Sequence, residues 1–304
     1  MAEDLGQLLA LGERAAFHGP PAKAVVALEQ AVAAAQKASR APEAAAASWL
    51  LGLSLGAAGR YGSALQTLTP LLEAGEATNA GREARLFAAL AGASLGSVRR
   101  QLGRHSEARE ADQRGAALTE GGESAFACRL GLAADAVGLG EADAARAEME
   151  AAIALLPERP TEWWRQRVRL DWVRAEVALL DDDPKTAISA AEAAVERAEK
   201  ARAPRHVAKS LLFQGVAHVT ASAPEGGASA LRRAATLAEG LGALPLVWSA
   251  RAVLGAVLIG TNATESATSL GVARSAVLTI ASDLPDELRA DWLGRPDIAA
   301  LLEG

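Results

Sequence analysis

A pair of small residues, twelve positions apart, recurs seven times along this chain of 304 residues. The first members of successive pairs lie 40, 44, 37, 42, 40 and 40 residues apart. The pairs are Gly12/Ala24, Gly52/Ala64, Gly96/Ala108, Ala133/Ala145, Ala175/Ala187, Gly215/Gly227 and Gly255/Ala267. Such a period is typical of helical-repeat proteins, in which each helix–turn–helix unit buries its apolar face against its neighbours.

Breaks rich in Gly or Pro lie between the two members of each pair, for example Gly59, Gly103 and Asp183-Pro184. Gly suits the end of a helix and Pro suits the first turn of the next one. The small residues then allow the two helix backbones to approach where they cross, and larger side chains would overpack the crossing at about 1–3 kcal/mol each. Helix pairs are predicted at residues 3–38, 42–75, 80–119, 123–156, 160–202, 204–241 and 244–283.

The composition agrees with an all-α fold. Hydrophobic residues make up 50% of the chain but aromatic residues only 4%, and the excess is Ala and Leu, which favour helices over strands. We expect one elongated repeat domain over residues 1–283. Pro285 and Pro296 each start a short polar helix, so residues 284–304 are predicted to cap the stack.

One repeat carries a recognisable signature. Leu51-Gly52, Leu55, Gly59, Tyr61, Ala64 and Leu68 resemble the tetratricopeptide repeat, and Pro157 follows Ala145 by twelve residues, where that family ends its second helix. The resemblance covers residues 5 to 283 and implies a right-handed α-solenoid of seven antiparallel helix pairs. A period near 40 and phrases such as Val173-Arg174-Ala175-Glu176 look like the long-repeat regions of bacterial signal-transduction proteins related to the maltose regulator.

Several classes of function are disfavoured by the sequence. There is no phosphate-binding loop, no kinase signature and no nucleophile beside a base, so we expect a non-catalytic protein without metal or cofactor. The single cysteine, Cys128, the net charge of −6 and the acidic amino terminus predict a cytoplasmic protein that binds neither nucleic acid nor a membrane. The run Asp181-Asp182-Asp183 precedes Pro184 and is interpreted as a turn and helix cap instead of a metal motif.

The family resemblance implies which residues contact a partner, because the first helices of tetratricopeptide pairs line a concave groove. Arg165, Arg169, Trp172 and Glu176 follow spacings of four, three and four, so they share one helical face. That face is suited to an extended peptide or an acidic tail. The complete set of predicted groove residues is Arg100, Gln101, Arg165, Arg169, Trp172, Glu176 and Lys209, with Trp49 and Leu53 as further candidates.

A structural interpretation of the same residues stays open. Tryptophans such as Trp49 and Trp172 also fill gaps left by alanine neighbours, and the arginines also suit a solvated surface. The leading functional hypothesis is a protein-interaction scaffold that binds a protein segment or peptide, in bacterial signalling or regulation. The alternative is a sensor that binds a peptide or small molecule and regulates an effector partner.

Overall fold

The computed structural model describes residues 5–159 and 163–303, and these residues form helices and connecting turns only. Its sixteen helices are α1 (Leu5–His18), α2 (Pro21–Lys37), α3 (Ala41–Ala58), α4 (Tyr61–Glu76), α5 (Arg82–Gln101), α6 (His105–Ala117), α7 (Gly122–Gly138), α8 (Ala142–Ile153), α9 (Trp164–Leu180), α10 (Pro184–Lys200), α11 (Pro204–Thr220), α12 (Pro224–Leu241), α13 (Leu244–Val257), α14 (Ala263–Ser282), α15 (Asp286–Leu293) and α16 (Pro296–Glu303). The first fourteen form the seven predicted pairs, and the fold class is confirmed. The predicted starts of the first and fifth pairs, residues 3 and 160, lie outside the described residues.

The chain divides into two compact units, Met1–Trp163 with α1–α8 and Trp164–Gly304 with α9–α16. Within each unit, every helix packs against the next one along the chain, and α16 also packs on α14. First helices of neighbouring pairs also meet, as α5 meets α7 in the first unit and α9 meets α11 in the second. The division of the chain into a domain 1–283 and a cap 284–304 stays a prediction.

Turns between paired helices follow the predicted chemistry. Gly59 ends α3 with a φ of 84°, a left-handed conformation that costs glycine little. Pro184 and Pro224 each begin the second helix of a pair, where the missing backbone N–H is no loss. Asp183 caps α10, since its Oδ1 accepts a hydrogen bond of 3.1 Å from the backbone N–H of Thr186, which agrees with the interpretation of the acidic run as a turn and cap.

The first small residue of each glycine-led pair lies in a close helix crossing. A Cβ added to Gly215 would come within 2.6 Å of Leu231 Cγ and 3.3 Å of the carbonyl oxygen of Gly227. The nearest side chain, that of Leu231, therefore lies sixteen positions after Gly215. This is one helical turn beyond Gly227, the predicted partner twelve positions after Gly215. The same spacing of sixteen links Gly12 to Leu28 and Gly52 to Leu68.

The two carboxyl-terminal helices pack on α14 in the second unit. Trp292 of α15 is 1% exposed and meets the ring of Trp248 edge-on at a centroid distance of 5.8 Å. Arg274 of α14 donates a hydrogen bond of 2.6 Å to the carbonyl of Leu301 in α16. None of the described helices is long and apolar enough to cross a membrane.

Candidate binding surface

Two neighbouring first helices of the second unit, α9 and α11, bring basic side chains together. Arg165 and Arg169 lie one turn apart on α9, and Arg205 and Lys209 lie one turn apart on α11. Because α9 and α11 pack against each other, the two rows lie side by side. We call these four residues the basic face. The sequence predicted three of its members, and Arg205 was missed although it precedes Lys209 by one helical turn.

The floor of the basic face is aromatic. Trp172 of α9 stacks on His206 of α11 at a centroid distance of 5.6 Å and an interplanar angle of 19°. Its indole Nε1 donates a hydrogen bond of 2.8 Å to Ser210 Oγ. Trp164 meets the other part of the His206 ring edge-on at 5.0 Å, and Phe213 lies 6.3 Å from Trp172. These contacts fix both helices relative to each other beneath the basic side chains.

Burial differs among the side chains of this surface. Trp172 is only 7% exposed and Arg165 8%, whereas Arg169, Arg205 and Lys209 are partly exposed. The ammonium of Lys209 lies 4.5 Å from the centroid of the Trp172 ring, in cation–π range. Trp172 was predicted to contact a partner directly. Trp172 is largely buried and lies beneath the Lys209 ammonium, so its direct contact with a partner stays a prediction.

The charges of the basic face act on the pKa of His206, which lies between α9 and α11. Burial lowers the pKa of His206 well below its ordinary value, and the charges of Arg205, Arg165, Lys209 and Arg169 lower it further. Burial and the charge of Arg165 lower the pKa of Arg205 to about 10. All four basic side chains therefore act on one neutral imidazole. Glu176, which the sequence placed on the same face, is half-buried on α9 one turn beyond Trp172.

The predicted groove residues of the first unit have internal partners. Arg100 Nη1 lies 2.7 Å from Asp112 Oδ2 and 2.6 Å from Asp135 Oδ1, and both aspartates are fully buried. These two carboxylates raise the pKa of Arg100 against the opposing effect of burial. The register predicts that Arg100 binds a partner in the groove, but its guanidinium forms an internal ion pair because two buried carboxylates require a cation.

Gln101, Trp49 and Leu53 are all half-buried. Gln101 Oε1 accepts a hydrogen bond of 2.9 Å from the Tyr61 hydroxyl. The Trp49 indole donates to Ser94 Oγ at 3.2 Å and packs 6.3 Å from Phe87, between α3 and α5. Trp49 therefore fills the space between repeats, which is the structural alternative that the sequence left open.

Sequence reasoning missed Asp112 and Asp135, although the register contains a signal for Asp112. It lies sixteen residues after Gly96, at the position that holds Leu28, Leu68 and Leu231 in other repeats. An acidic residue at an apolar position indicates a buried ion pair. No comparable signal marks Asp135. Among residues 5–159 and 163–303, no group of three or more His, Cys, Asp or Glu side chains is placed to hold a metal ion.

Comparisons with known proteins give the fold but no close relative. No protein-family model matches the chain, and no curated protein matches it significantly in sequence. Likeness to the maltose-regulator group therefore stays a prediction.

Among solved structures, a Rap protein in complex with competence and sporulation factor has a TM-score of 0.65 at 9% identity, over 100% of this chain and 86% of that one. The Cut9–Hcn1 hetero-tetramer of APC/C gives 0.54 at 16% identity, over 90% of this chain and 48% of that one. Aspartyl phosphate phosphatase F from Bacillus subtilis gives 0.51 at 13% identity, over 99% and 82%. The chain is thus an all-α helical-repeat protein with a tetratricopeptide-like fold.

Proposed function

We propose that this protein is a non-catalytic interaction scaffold, in bacterial signalling or regulation, whose basic face binds a segment of a partner protein or a peptide. The observation that carries the proposal is the convergence of four basic side chains from two neighbouring first helices over a packed aromatic floor. Rigid helices hold these groups, so little side-chain ordering remains to oppose binding. The structural neighbours support the fold's use in binding, since one contains competence and sporulation factor and another pairs Cut9 with Hcn1.

A comparison of two charge reversals tests the scaffold. The double variant Arg169→Glu/Lys209→Glu changes the basic face, while Arg233→Glu reverses a charge on the exposed part of α12 in the same unit. Each immobilised protein is used to recover partners from a bacterial lysate, and recovered partners are then tested as purified proteins. We expect a partner that binds wild type and Arg233→Glu but not the double variant. Identical partners for all three proteins would contradict the proposed binding surface.

The alternative, a small-molecule sensor, has one observation in its favour. In the first unit a cleft of about 580 Å³ lies between α2, α3 and α4, lined by residues that include Ala45, Ser48 and Pro70. This volume lies within the range of small-molecule sites. A thermal-shift screen of metabolites tests it, with Ala45→Phe as a variant that fills the cleft. A compound that stabilises wild type but not Ala45→Phe would favour the sensor over the scaffold.

A further inference from the structure

The spacing of charges on the basic face indicates what kind of segment fits it. Residues one helical turn apart, such as the partly exposed Arg205 and Lys209, are separated along the helix axis by about 6 Å. In an extended peptide, side chains on the same side recur every second residue, at about 6.7 Å. The row of Arg205 and Lys209 on α11 therefore matches the side chains of alternate residues in an extended segment. Neighbouring helices lie roughly 8–10 Å apart, so the second row runs beside the first.

The charge of the ligand follows from the same arrangement. Arg165, Arg169, Arg205 and Lys209 all act on the His206 imidazole, so an incoming basic side chain would meet repulsion from several directions. Carboxylates instead gain charge-assisted hydrogen bonds from the guanidinium groups, whose planar fork matches a carboxylate with two parallel bonds. Lys209 is already held over the Trp172 ring, which reduces the entropy lost when it binds an anion.

Single-stranded nucleic acid is a poorer match to this surface. Proteins that bind it use open aromatic faces on which bases stack. Trp172 offers no such face, because it is 7% exposed and lies against His206, Phe213 and Lys209. The net charge of −6 also opposes a phosphate backbone beyond the basic face.

We propose that the basic face binds an extended acidic peptide segment that carries Asp or Glu at every second position. This rests on the proposed scaffold function and assigns the chemical class of its partner. Arg169, Arg205 and Lys209 contact the carboxylates, Arg165 lies at the base of the surface, and Trp172 positions Lys209.

Fluorescein-labelled short peptides test the assignment by fluorescence anisotropy with the full-length protein. The first peptide has glutamate at every second position with alanine between. The second has the same number of glutamates in one uninterrupted block, and the third has glutamine in place of glutamate. We expect the alternating peptide to bind at least about tenfold more tightly than the block peptide, since one misplaced charge-assisted bond accounts for roughly that factor. The glutamine peptide is expected not to bind.

Variants connect this binding to the named residues. Arg169→Glu/Lys209→Glu should weaken binding of the alternating peptide about 100-fold, while Arg233→Glu leaves it within about twofold. The milder pair Arg169→Gln/Lys209→Gln, with unchanged helical circular dichroism, guards against a variant that fails to fold. Trp172→Phe should weaken binding less than loss of Lys209 itself, because the ring positions that side chain without touching the peptide.

Three results would overturn the assignment: equal binding of alternating and block peptides, no binding of either, or tighter binding of a single-stranded RNA. If the acidic peptides fail but a partner from lysate still requires Arg169 and Lys209, the ligand class is wrong and the scaffold stands. If no partner depends on these two residues, the scaffold proposal itself fails.

Discussion

Asp112 illustrates how one side chain changes the interior of a repeat. Three other repeats place a leucine at its position, yet Asp112 is fully buried and lies 2.7 Å from Arg100. Asp135 from the next first helix joins the same guanidinium at 2.6 Å. Burying two carboxylates is costly, and a hydrogen-bonded cation offsets that cost only while it is present. Arg100 is thus required by its neighbours more than by any external partner.

Replacing Arg100 with methionine should destabilise the protein strongly. The change keeps much of the side-chain volume but leaves two buried carboxylates without their cation, at about 3–5 kcal/mol. Urea unfolding measures the loss. Arg114→Met is the matched control, because Arg114 pairs with Glu76 at 2.8 Å in an exposed position and should contribute only about 0.2–1 kcal/mol. Similar losses in both variants would show that the buried ion pair has no special importance.

At the scale of elements, helix crossings depend on whether a glycine has room for a Cβ. Gly215→Ala places a methyl within 2.6 Å of the buried Leu231, so we expect destabilisation of about 1–3 kcal/mol. Gly271 lies within α14 with nothing within 4 Å of an added Cβ, so Gly271→Ala should stabilise by about 0.5–1 kcal/mol. Thermal unfolding of both variants measures whether the first is less stable and the second more stable than wild type. Two changes of the same sign would contradict the close-crossing interpretation.

The buried charges where α5, α6 and α7 meet should also make the stability of the protein depend on pH. Burial raises the pKa of Asp135, although Arg100, Asp112 and the His105 imidazole lower it. The folded protein then binds this proton more tightly than the unfolded chain does. The stabilising effect of protonation is complete below the unfolded-state pKa of about 3.9 and is lost as pH rises through the folded-state pKa.

We therefore expect wild type to gain stability relative to Asp135→Asn as the pH falls from neutral. Unfolding in urea across the acidic range measures the difference between the two proteins. The same comparison, made between two proteins that both also carry His105→Gln, separates the effect of the Asp135 carboxyl from that of the imidazole. A stability difference between the two proteins that stays constant with pH, or that changes in favour of Asp135→Asn on acidification, would contradict a raised pKa of Asp135 in the folded protein.

The elements were predictable from sequence because small residues, Gly and Pro repeat at fixed spacings. Gly215 and Gly227 indicated the crossing, and Asp183-Pro184 indicated the break at which α10 begins. The surface was only partly predictable. Spacing placed Arg169 and Trp172 on one face, but it did not show that Trp172 is buried against His206, since burial depends on the neighbouring helix. Arg100 was predicted to face a partner because spacing carries no information on Asp135, thirty-five residues away.

At the scale of the whole molecule, a basic face stands out because the chain carries 31 Lys and Arg residues against 37 Asp and Glu. The surrounding acidic excess weakens long-range attraction of an acidic ligand, so binding depends on short-range contacts. We therefore expect specificity to follow from the positions of the four cations, and not from overall charge.

Binding of the alternating glutamate peptide should raise the stability of the full-length protein. At a peptide concentration about 100 times its Kd, linkage predicts a gain of about 2.7 kcal/mol and a rise in Tm of roughly 5 °C. Differential scanning calorimetry measures both. The glutamine peptide and the Arg169→Glu/Lys209→Glu variant serve as controls without a shift. An equal rise in that variant would place the peptide elsewhere on the molecule.

The ion pair of Arg100 with Asp112 and Asp135 also bears on how the chain avoids assembling wrongly. Most crossings are built from interchangeable Gly, Ala and Leu, so a helix pair displaced by one repeat, or exchanged with a second molecule, would bury a similar apolar area. In the first unit, such a displacement would separate two buried carboxylates from the arginine that neutralises them. The buried charges therefore distinguish this crossing from the others in a repetitive sequence. They favour one order of neighbouring helices, at some cost in stability.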